Sequence, residues 1–247
     1  MKFDFQLSPD ENSPPPMGLI VLQVDETIEG EFREAFRASK SQIFVTRIPS
    51  GLEVTPQTLT SMEQHITTSA KLLPQSREFS VIGYGCTSAS AIIGSEKISE
   101  LIKSGCNTRI VTNPLLAATE YAKHIGVTKL ALLSPYIEEV NTPLRKAFEI
   151  NGLSTETFGT FGEGREEKVA RISERSTIEA AITLGQNTSS EAVFISCTNL
   201  RTFNCLDKIA HEINKPVFSS NQSLAWHMNK LSKSNIKKCL SKEIFSF

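Results

Sequence analysis

Val81-Ile82-Gly83-Tyr84-Gly85-Cys86-Thr87-Ser88 and Val193-Phe194-Ile195-Ser196-Cys197-Thr198-Asn199 share one pattern. Each is an apolar run, one or more small residues, then Cys-Thr and a polar residue leading toward a helix. A short continuous apolar run reads as a strand buried on both faces. Similar runs lie at 18–22, 43–45, 108–111, 130–133, 154–158 and 216–218. Between them come segments with helical spacing, such as 26–40, where Ile28, Phe32, Ala35 and Phe36 fall on one face. Further helices are expected at 58–73, 96–103, 115–125, 138–150, 176–184, 206–213 and 222–231, with a polar loop at 161–167. Strands alternating with helices imply parallel sheets covered by right-handed crossovers. The pattern restarts at Lys129. The expected fold is therefore α/β: two pseudo-symmetric parallel-sheet domains with the active site in the cleft between them. Residues 18–127 form the half carrying Cys86, and 128–231 the half carrying Cys197. Residues 1–17 read as an N-terminal tail, with four prolines in 8–16, and 232–247 as a C-terminal tail.

The 247 residues hold 26 Lys+Arg against 27 Asp+Glu, a net charge of −1. That balance argues against nucleic-acid binding through a basic field and against charge-driven adhesion to anionic membranes. No apolar run approaches the ~18 residues that span a bilayer. The start, Met1-Lys2-Phe3-Asp4, lacks the apolar stretch of a signal peptide. Five cysteines, an odd number without CxxC spacing, fit neither a disulfide framework nor a zinc site. The expectation is a cytoplasmic protein with reduced thiols, no metal and no organic cofactor.

In parallel α/β sheets the carboxyl ends of the strands open onto the ligand crevice. A cysteine there, at the start of the next helix, feels the positive end of the helix dipole. The dipole is expected to lower the thiol pKa, and nearby backbone N–H groups can bind a carboxylate. Cys86 and Cys197 both have this setting. Cys106, Cys205 and Cys239 lack it and read as structural or incidental. Two thiols on opposite walls of one crevice allow two chemistries. One can remove a proton from one face of a carbon while the other serves the opposite face. Alternatively, one attacks an alkene while the other delivers the proton.

The chain resembles the aspartate/glutamate racemase superfamily, in its maleate cis-trans isomerase and arylmalonate decarboxylase branch. The resemblance rests on an ordered set: Gly18-Leu19-Ile20-Val21 with Asp25-Glu26-Thr27-Ile28-Glu29, Gly85-Cys86-Thr87-Ser88, and Ser134-Pro135-Tyr136 with Glu139-Val140-Asn141. Ser196-Cys197-Thr198-Asn199-Leu200-Arg201-Thr202, and Lys215-Pro216-Val217 with Ser220-Asn221-Gln222 and Ala225-Trp226-His227, complete it. It implies a cofactor-independent isomerase in which Cys86 adds to an alkene and Cys197 donates and accepts the proton. Thr87, Ser88, Thr198 and Asn199 would bind substrate, in part through backbone N–H groups, and Tyr136 would hydrogen-bond it. The decarboxylases carry glycine where Cys86 stands, so two thiols favour isomerisation or racemisation. Two departures bear on the substrate. Maleate isomerases place asparagine where Asp25 stands, and a second asparagine in the segment that here reads Glu163-Gly164-Arg165-Glu166-Glu167-Lys168. Asp25 is similar to the aspartate of amino-acid racemases and the ectoine-utilisation type, where it could accept a hydrogen bond from a substrate amino or amide group. It could equally cap the helix that begins nearby.

Other features read as structural. Gly83-Tyr84-Gly85 and the glycine-rich 159–164 segment complete no phosphate-binding motif and are expected to be tight turns. His65, His124, His211 and His227 lack metal-ligand spacing. Arg201 could pair with a carboxylate or lie on the surface, and Lys230, Lys233, Lys237 and Lys238 read as a solvated face. The expected partner is a small carboxylate substrate, with a homodimer possible. A racemase, a decarboxylase and a non-catalytic ligand-binding protein stand as the alternatives to a maleate-type isomerase.

Overall fold

The computed structural model describes residues 1–7, 14–39 and 41–232. Its centre is a pair of four-stranded parallel sheets. The first contains β1 (Met17–Leu22), β2 (Ile43–Ile48), β3 (Val81–Gly85) and β4 (Val111–Thr112), in the order β2-β1-β3-β4. The second contains β5 (Leu130–Ser134), β6 (Phe158–Thr160), β7 (Ala192–Ile195) and β8 (Val217–Ser219), in the order β6-β5-β7-β8. The two orders are the same permutation, so β3 and β7 hold equivalent central places. β1, β3, β5 and β7 are buried along their whole length, as their unbroken apolar runs require.

The first half carries α1 (Ile28–Ala35), α2 (Pro56–Ser61), α3 (Glu63–Ala70), α4 (Thr87–Ile93), α5 (Ser95–Lys103) and α6 (Pro114–Ile125). The second carries α7 (Glu138–Ile150), α8 (Glu166–Val169), α9 (Glu174–Gly185), α10 (Leu206–Ile213) and α11 (Ser220–Leu231). Several boundaries differ from expectation. The helix expected over 26–40 is confined to α1. The one expected over 58–73 divides at Met62 into α2, opened by a Thr55–Thr58 capping box, and α3. The sixth strand starts at Phe158, because Ser154 makes only an isolated bridge to Lys129. The 161–167 segment is not wholly a loop, since α8 begins inside it.

Gly83 and Gly85 are strand residues and not turns. A Cβ on Gly83 would stand 2.5 Å from Met228 Sδ, and one on Gly85 would stand 2.9 Å from Ile28 Cδ1. The missing side chains let α11 and α1 close on β3. The two final helices are exchanged between the sheets. Leu224, Ala225 and Met228 of α11 share a core cluster with Met17, Leu19 and Val81 of the first sheet. Leu115, Ala118 and Tyr121 of α6 share another with Leu130, Leu132 and Phe194 of the second. None of the described helices is long and apolar enough to cross a membrane.

A buried carboxylate also ties the halves. Glu31 on α1 accepts from the backbone N–H of Thr202 (2.6 Å) and Phe203 (3.0 Å) and from Asn221 Nδ2 (2.7 Å). Burial outweighs these hydrogen bonds and raises its pKa from 4.5 to about 7. Between those values the folded state binds more protons than the unfolded chain, so stability falls as pH rises. A shift of that size corresponds to about 3 kcal/mol. Thermal unfolding should therefore show a midpoint that declines from pH 5 to pH 7.5, with a visibly flatter decline in Glu31→Gln. Equal slopes in the two proteins would contradict this assignment.

Candidate active site

Cys86 follows β3 directly and caps α4, its Sγ accepting from Ala89 N at 3.4 Å. Ser90 Oγ donates to the Cys86 carbonyl at 2.5 Å and holds the turn. Thr87 Oγ1 and Ser220 Oγ, from opposite halves, lie 2.8 Å apart. Ser88 is buried, and its hydroxyl has no protein partner.

Cys197 follows β7 at the equivalent place, but it does not head a helix. α10 begins only at Leu206, and Cys197 lies in a turn with φ of 108°. A cysteine in that left-handed region is strained and must be held by its surroundings. Its N–H donates to Ser220 Oγ at 3.0 Å, and its Sγ accepts from Asn199 N at 3.2 Å. Tyr136, just beyond β5, places its hydroxyl 3.0 Å from Cys197 Sγ and donates to Glu166 Oε1 at 2.8 Å. Asn199 Nδ2 donates to the other Glu166 oxygen at 2.8 Å. A continuous chain Cys197–Tyr136–Glu166–Asn199 results.

Glu166, the first residue of α8, is not among the residues expected at the site; its segment stands out in the sequence only for lacking an asparagine. It is 3% exposed, as is Asp25. The question left open for Asp25 has a double answer. Its Oδ1 accepts from Thr27 N and Ile28 N, both at 2.8 Å, and so caps the entry to α1. Its Oδ2 is buried without a well-formed hydrogen bond: the nearby Thr198 hydroxyl tempers the upward shift of Asp25 but donates to Gly85 O at 3.2 Å. Burial raises both carboxyls above the ordinary range, and Asp25 raises Glu166 further.

The thiols behave oppositely to the helix-dipole expectation. Burial pushes Cys86 up to about 12, and the negative charges of Glu166 and Asp25 reinforce it against the Ala89 N–H. Cys197 is driven well above its ordinary value by burial and then by Glu166. Desolvation outweighs the helix dipole at Cys86, and Cys197 heads no helix; both residues are buried, Cys86 6% and Cys197 2% exposed. Both are neutral thiols at pH 7. Tyr136 feels both of them as well as Glu166, which places the two sulfurs, Tyr136 and Glu166 in one electrostatic neighbourhood.

The neighbourhood spans the seam. Glu26 N donates to Asn199 Oδ1 at 2.8 Å, and Thr27 Oγ1 donates to Asn199 O at 2.9 Å. The segment bearing Glu166 is clasped by the first half, with Glu166 N on Leu52 O (3.1 Å) and Val54 N on Gly164 O (2.7 Å). Asn199 thus uses its side chain on protein partners. Cys106 and Cys205 are buried and bond to the carbonyls of Ile102 and Thr202. His227 pairs with Thr112 Oγ1 at 2.8 Å, and burial lowers it to about 4, so it packs as a neutral ring. Arg201 is exposed. Lys230 lies over the Trp226 ring at 4.9 Å; Lys233, Lys237, Lys238 and Cys239 fall outside the described residues. Among the described residues no cluster of three His, Cys, Asp or Glu side chains is arranged to hold a metal ion.

The model of the arylmalonate decarboxylase family matches residues 44–242. The chain belongs to the arylmalonate decarboxylase family. Solved structures with the same fold include the maleate isomerase Iso of Pseudomonas putida, at 17% identity and a TM-score of 0.79 over 87% of this chain and 92% of that one. A double mutant of arylmalonate decarboxylase in liganded form aligns at 18% identity and 0.81 over 94% and 100%. A Nocardia farcinica maleate cis-trans isomerase mutant with a covalently bound succinylcysteine intermediate aligns at 18% and 0.75 over 88% and 92%. At such identities the likeness is one of fold. No curated protein sequence matches the chain.

After burial, the charge of Glu166 is what raises both thiols together, which yields a test. Glu166→Gln keeps an acceptor for Tyr136 but removes the negative charge that raises Cys86 and Cys197. Alkylation of these two cysteines by iodoacetamide at pH 9, followed by peptide mass spectrometry, should be several-fold faster in the variant. Unchanged or slower labelling at both would mean that Glu166 does not set their ionisation.

Proposed function

We propose that this chain is a cofactor-independent isomerase of a small carboxylate in which Cys86 and Cys197 act as a pair. The observation that carries the proposal is the equivalence of β3 and β7. Each ends in one buried thiol at the seam, and both thiols are coupled to Glu166 and Asp25. Thiols that are neutral at rest need an internal proton acceptor before one of them can act. Glu166 fills that role through Tyr136. Tyr136 passes its proton to the Glu166 carboxylate while taking one from Cys197, leaving a thiolate, an intact tyrosine and a protonated carboxyl.

Two reactions can use this apparatus. In racemisation the Cys197 thiolate takes the proton from the carbon beside the substrate carboxylate, and the Cys86 thiol returns one to the opposite face. The thiolate then stands on Cys86, ready for the opposite enantiomer. In cis-trans isomerisation the Cys197 thiolate first takes the Cys86 proton; the Cys86 thiolate then adds to one alkene carbon and the Cys197 thiol so formed protonates its neighbour. After rotation about the new single bond, Cys197 recovers the proton and the carbon–sulfur bond breaks. The maleate-type isomerases of the same fold make this second route the direct analogy.

One feature favours racemisation of an amino acid or N-acyl amino acid. Asp25 stands where the maleate isomerases are expected to carry asparagine, and Glu166 adds a second carboxyl from the 163–168 segment, which holds no asparagine. An ionised carboxyl 4 Å from a second substrate carboxylate would cost about 4 kcal/mol at an effective dielectric of 20. A substrate N–H would instead satisfy the unpartnered Asp25 Oδ2. Decarboxylation uses one thiol and leaves Cys86 without a task.

Proton NMR in deuterated water separates these reactions. The panel is maleate, free amino acids, N-acyl amino acids and arylmalonates. Deuterium entering the α-position of an amino or N-acyl amino acid, with loss of optical rotation, is the expected outcome. Conversion of maleate to fumarate would establish the cis-trans reading instead. Loss of carbon dioxide from arylmalonates alone, or binding of panel members without turnover, would overturn the two-thiol isomerase.

A further inference from the structure

The strained Cys197 turn is held by three neighbouring residues where α11 begins. Ser220 Oγ accepts from Cys197 N, Asn221 Nδ2 donates to Thr198 O at 2.8 Å, and Ser219 Oγ accepts from Thr202 Oγ1 at 2.9 Å. Glu31 grips the same elements from the α1 side, and the proton path through Cys197, Tyr136 and Glu166 does not use it. Its Oε1 accepts from the N–H groups of Thr202 and Phe203, and its Oε2 accepts from Asn221 Nδ2 at 2.7 Å. One buried carboxylate thus binds the far end of the turn and also the amide that holds its near end.

Asn221 is fully buried, and its amide is used unevenly. Nδ2 donates to both Glu31 and Thr198, whereas Oδ1 has no hydrogen-bond partner. A buried acceptor left unpaired is costly. It persists because a carboxylate can only accept, so Glu31 must be met by the nitrogen. A proton on Glu31 reverses that constraint. Oε1 already takes two N–H donors, so the proton belongs on Oε2, which then becomes a donor aimed at Asn221. Half a turn of the amide brings Oδ1 to the place of Nδ2 and pairs it with the new O–H. Thr198 O then faces an oxygen where it had a donor. That carbonyl loses its hold, and Thr198 directly follows Cys197.

We infer that Glu31 and Asn221 form a proton-operated positioning switch for Cys197: the ionised carboxylate holds the turn in its working shape, and protonation turns the amide over and releases it. The switch regulates the site of the paired-thiol isomerase and rests on that reading. Its proton comes from solvent and returns there, with no other bond made or broken. Burial places the change near neutral pH, since it pushes Glu31 up to about 7. The surrounding groups leave Glu31 as the titrating member. Glu34 on α1, Glu26 just before it, Glu174 on α9 and Arg201 on the turn line a pocket of about 240 Å³ against Glu31. Glu26 is paired with Arg171 at 3.2 Å, and Glu174 accepts from Asn204 Nδ2 at 3.3 Å. Cys205, at the head of α10, is pushed up to about 12 by burial and then by Glu31, so it stays neutral. α11 meets Glu31 with the uncharged Asn221.

Two measurements on the full-length chain test the switch. With the carboxylate that the wild-type protein turns over, kcat should fall about tenfold from pH 8 to pH 6, following the ionised fraction of a group with a pKa of about 7. Glu31→Gln donates from its own amide to Asn221 Oδ1 and so imitates the acid form; its kcat should be low and level over the same range. A fall that persists in Glu31→Gln belongs to Asp25 or Glu166 and overturns the switch. The wild-type protein supplies a second reading that depends neither on catalysis nor on how well Glu31→Gln folds. With asparagine labelled in ¹⁵N, the side-chain N–H pair of Asn221, identified by its loss in Asn221→Ser, should shift with a midpoint near pH 7. A pair that stays fixed between pH 5.5 and pH 8.5 overturns the switch. Absence of turnover with every carboxylate of the panel would count against the isomerase reading, and the amide titration would still decide the switch.

Discussion

Glu166 is held in a buried seam by Tyr136 on one oxygen and Asn199 on the other, and its charge adds to burial in shifting the groups around it. A buried carboxylate without a cation beside it resists ionisation, and it makes every neighbouring acid resist as well. Cys86, Cys197, Tyr136 and Asp25 are those neighbours, and all are shifted upward. The protein thus stores its protons on sulfur and oxygen until a substrate changes the balance. A negative charge created on any one of these groups is accommodated only by moving a proton to another, which is the property a proton-transferring isomerase needs.

That coupling exists because the two halves are interlocked. α6 and α11 are exchanged between the sheets, Glu31 joins α1 to the Thr202–Phe203 turn, and Asn199 is bound to Glu26 and Thr27. Gly83 and Gly85 allow the exchanged helix and α1 to press against β3. The turn that bears Cys197 is strained in isolation and is held by Ser220, the first residue of α11. Packing at the seam therefore sets the position of both sulfurs, and the cost of burying the carboxyls of Asp25, Glu31 and Glu166 there is carried by the apolar cores on either side.

The strands were legible because strands buried on both faces must be apolar without interruption, and the paired Cys-Thr elements were legible because each closes such a strand. Glu166 was not. In sequence it belongs to a charged run, 163–168, that reads as solvated, and only the distant Leu52–Val54 backbone folds it inward. The thiol ionisation was misjudged for a related reason. A helix start can be read from residue order, whereas burial depends on how closely the other half approaches. Gly83 and Gly85 likewise looked like turn residues, since a glycine that admits Met228 from another half leaves no local mark.

The central claim is that both sulfurs serve one reaction, and single-cysteine variants address it most directly. With the carboxylate that the wild-type protein turns over, the initial rate should be measured for Cys86→Ser and Cys197→Ser, with the thermal midpoint of each recorded in parallel. Removal of a proton-transferring or nucleophilic group typically costs 10²–10⁴-fold, so each variant should lose at least about a hundredfold in rate at an unchanged midpoint. A variant of either cysteine that keeps near-wild-type turnover would contradict the paired-thiol account.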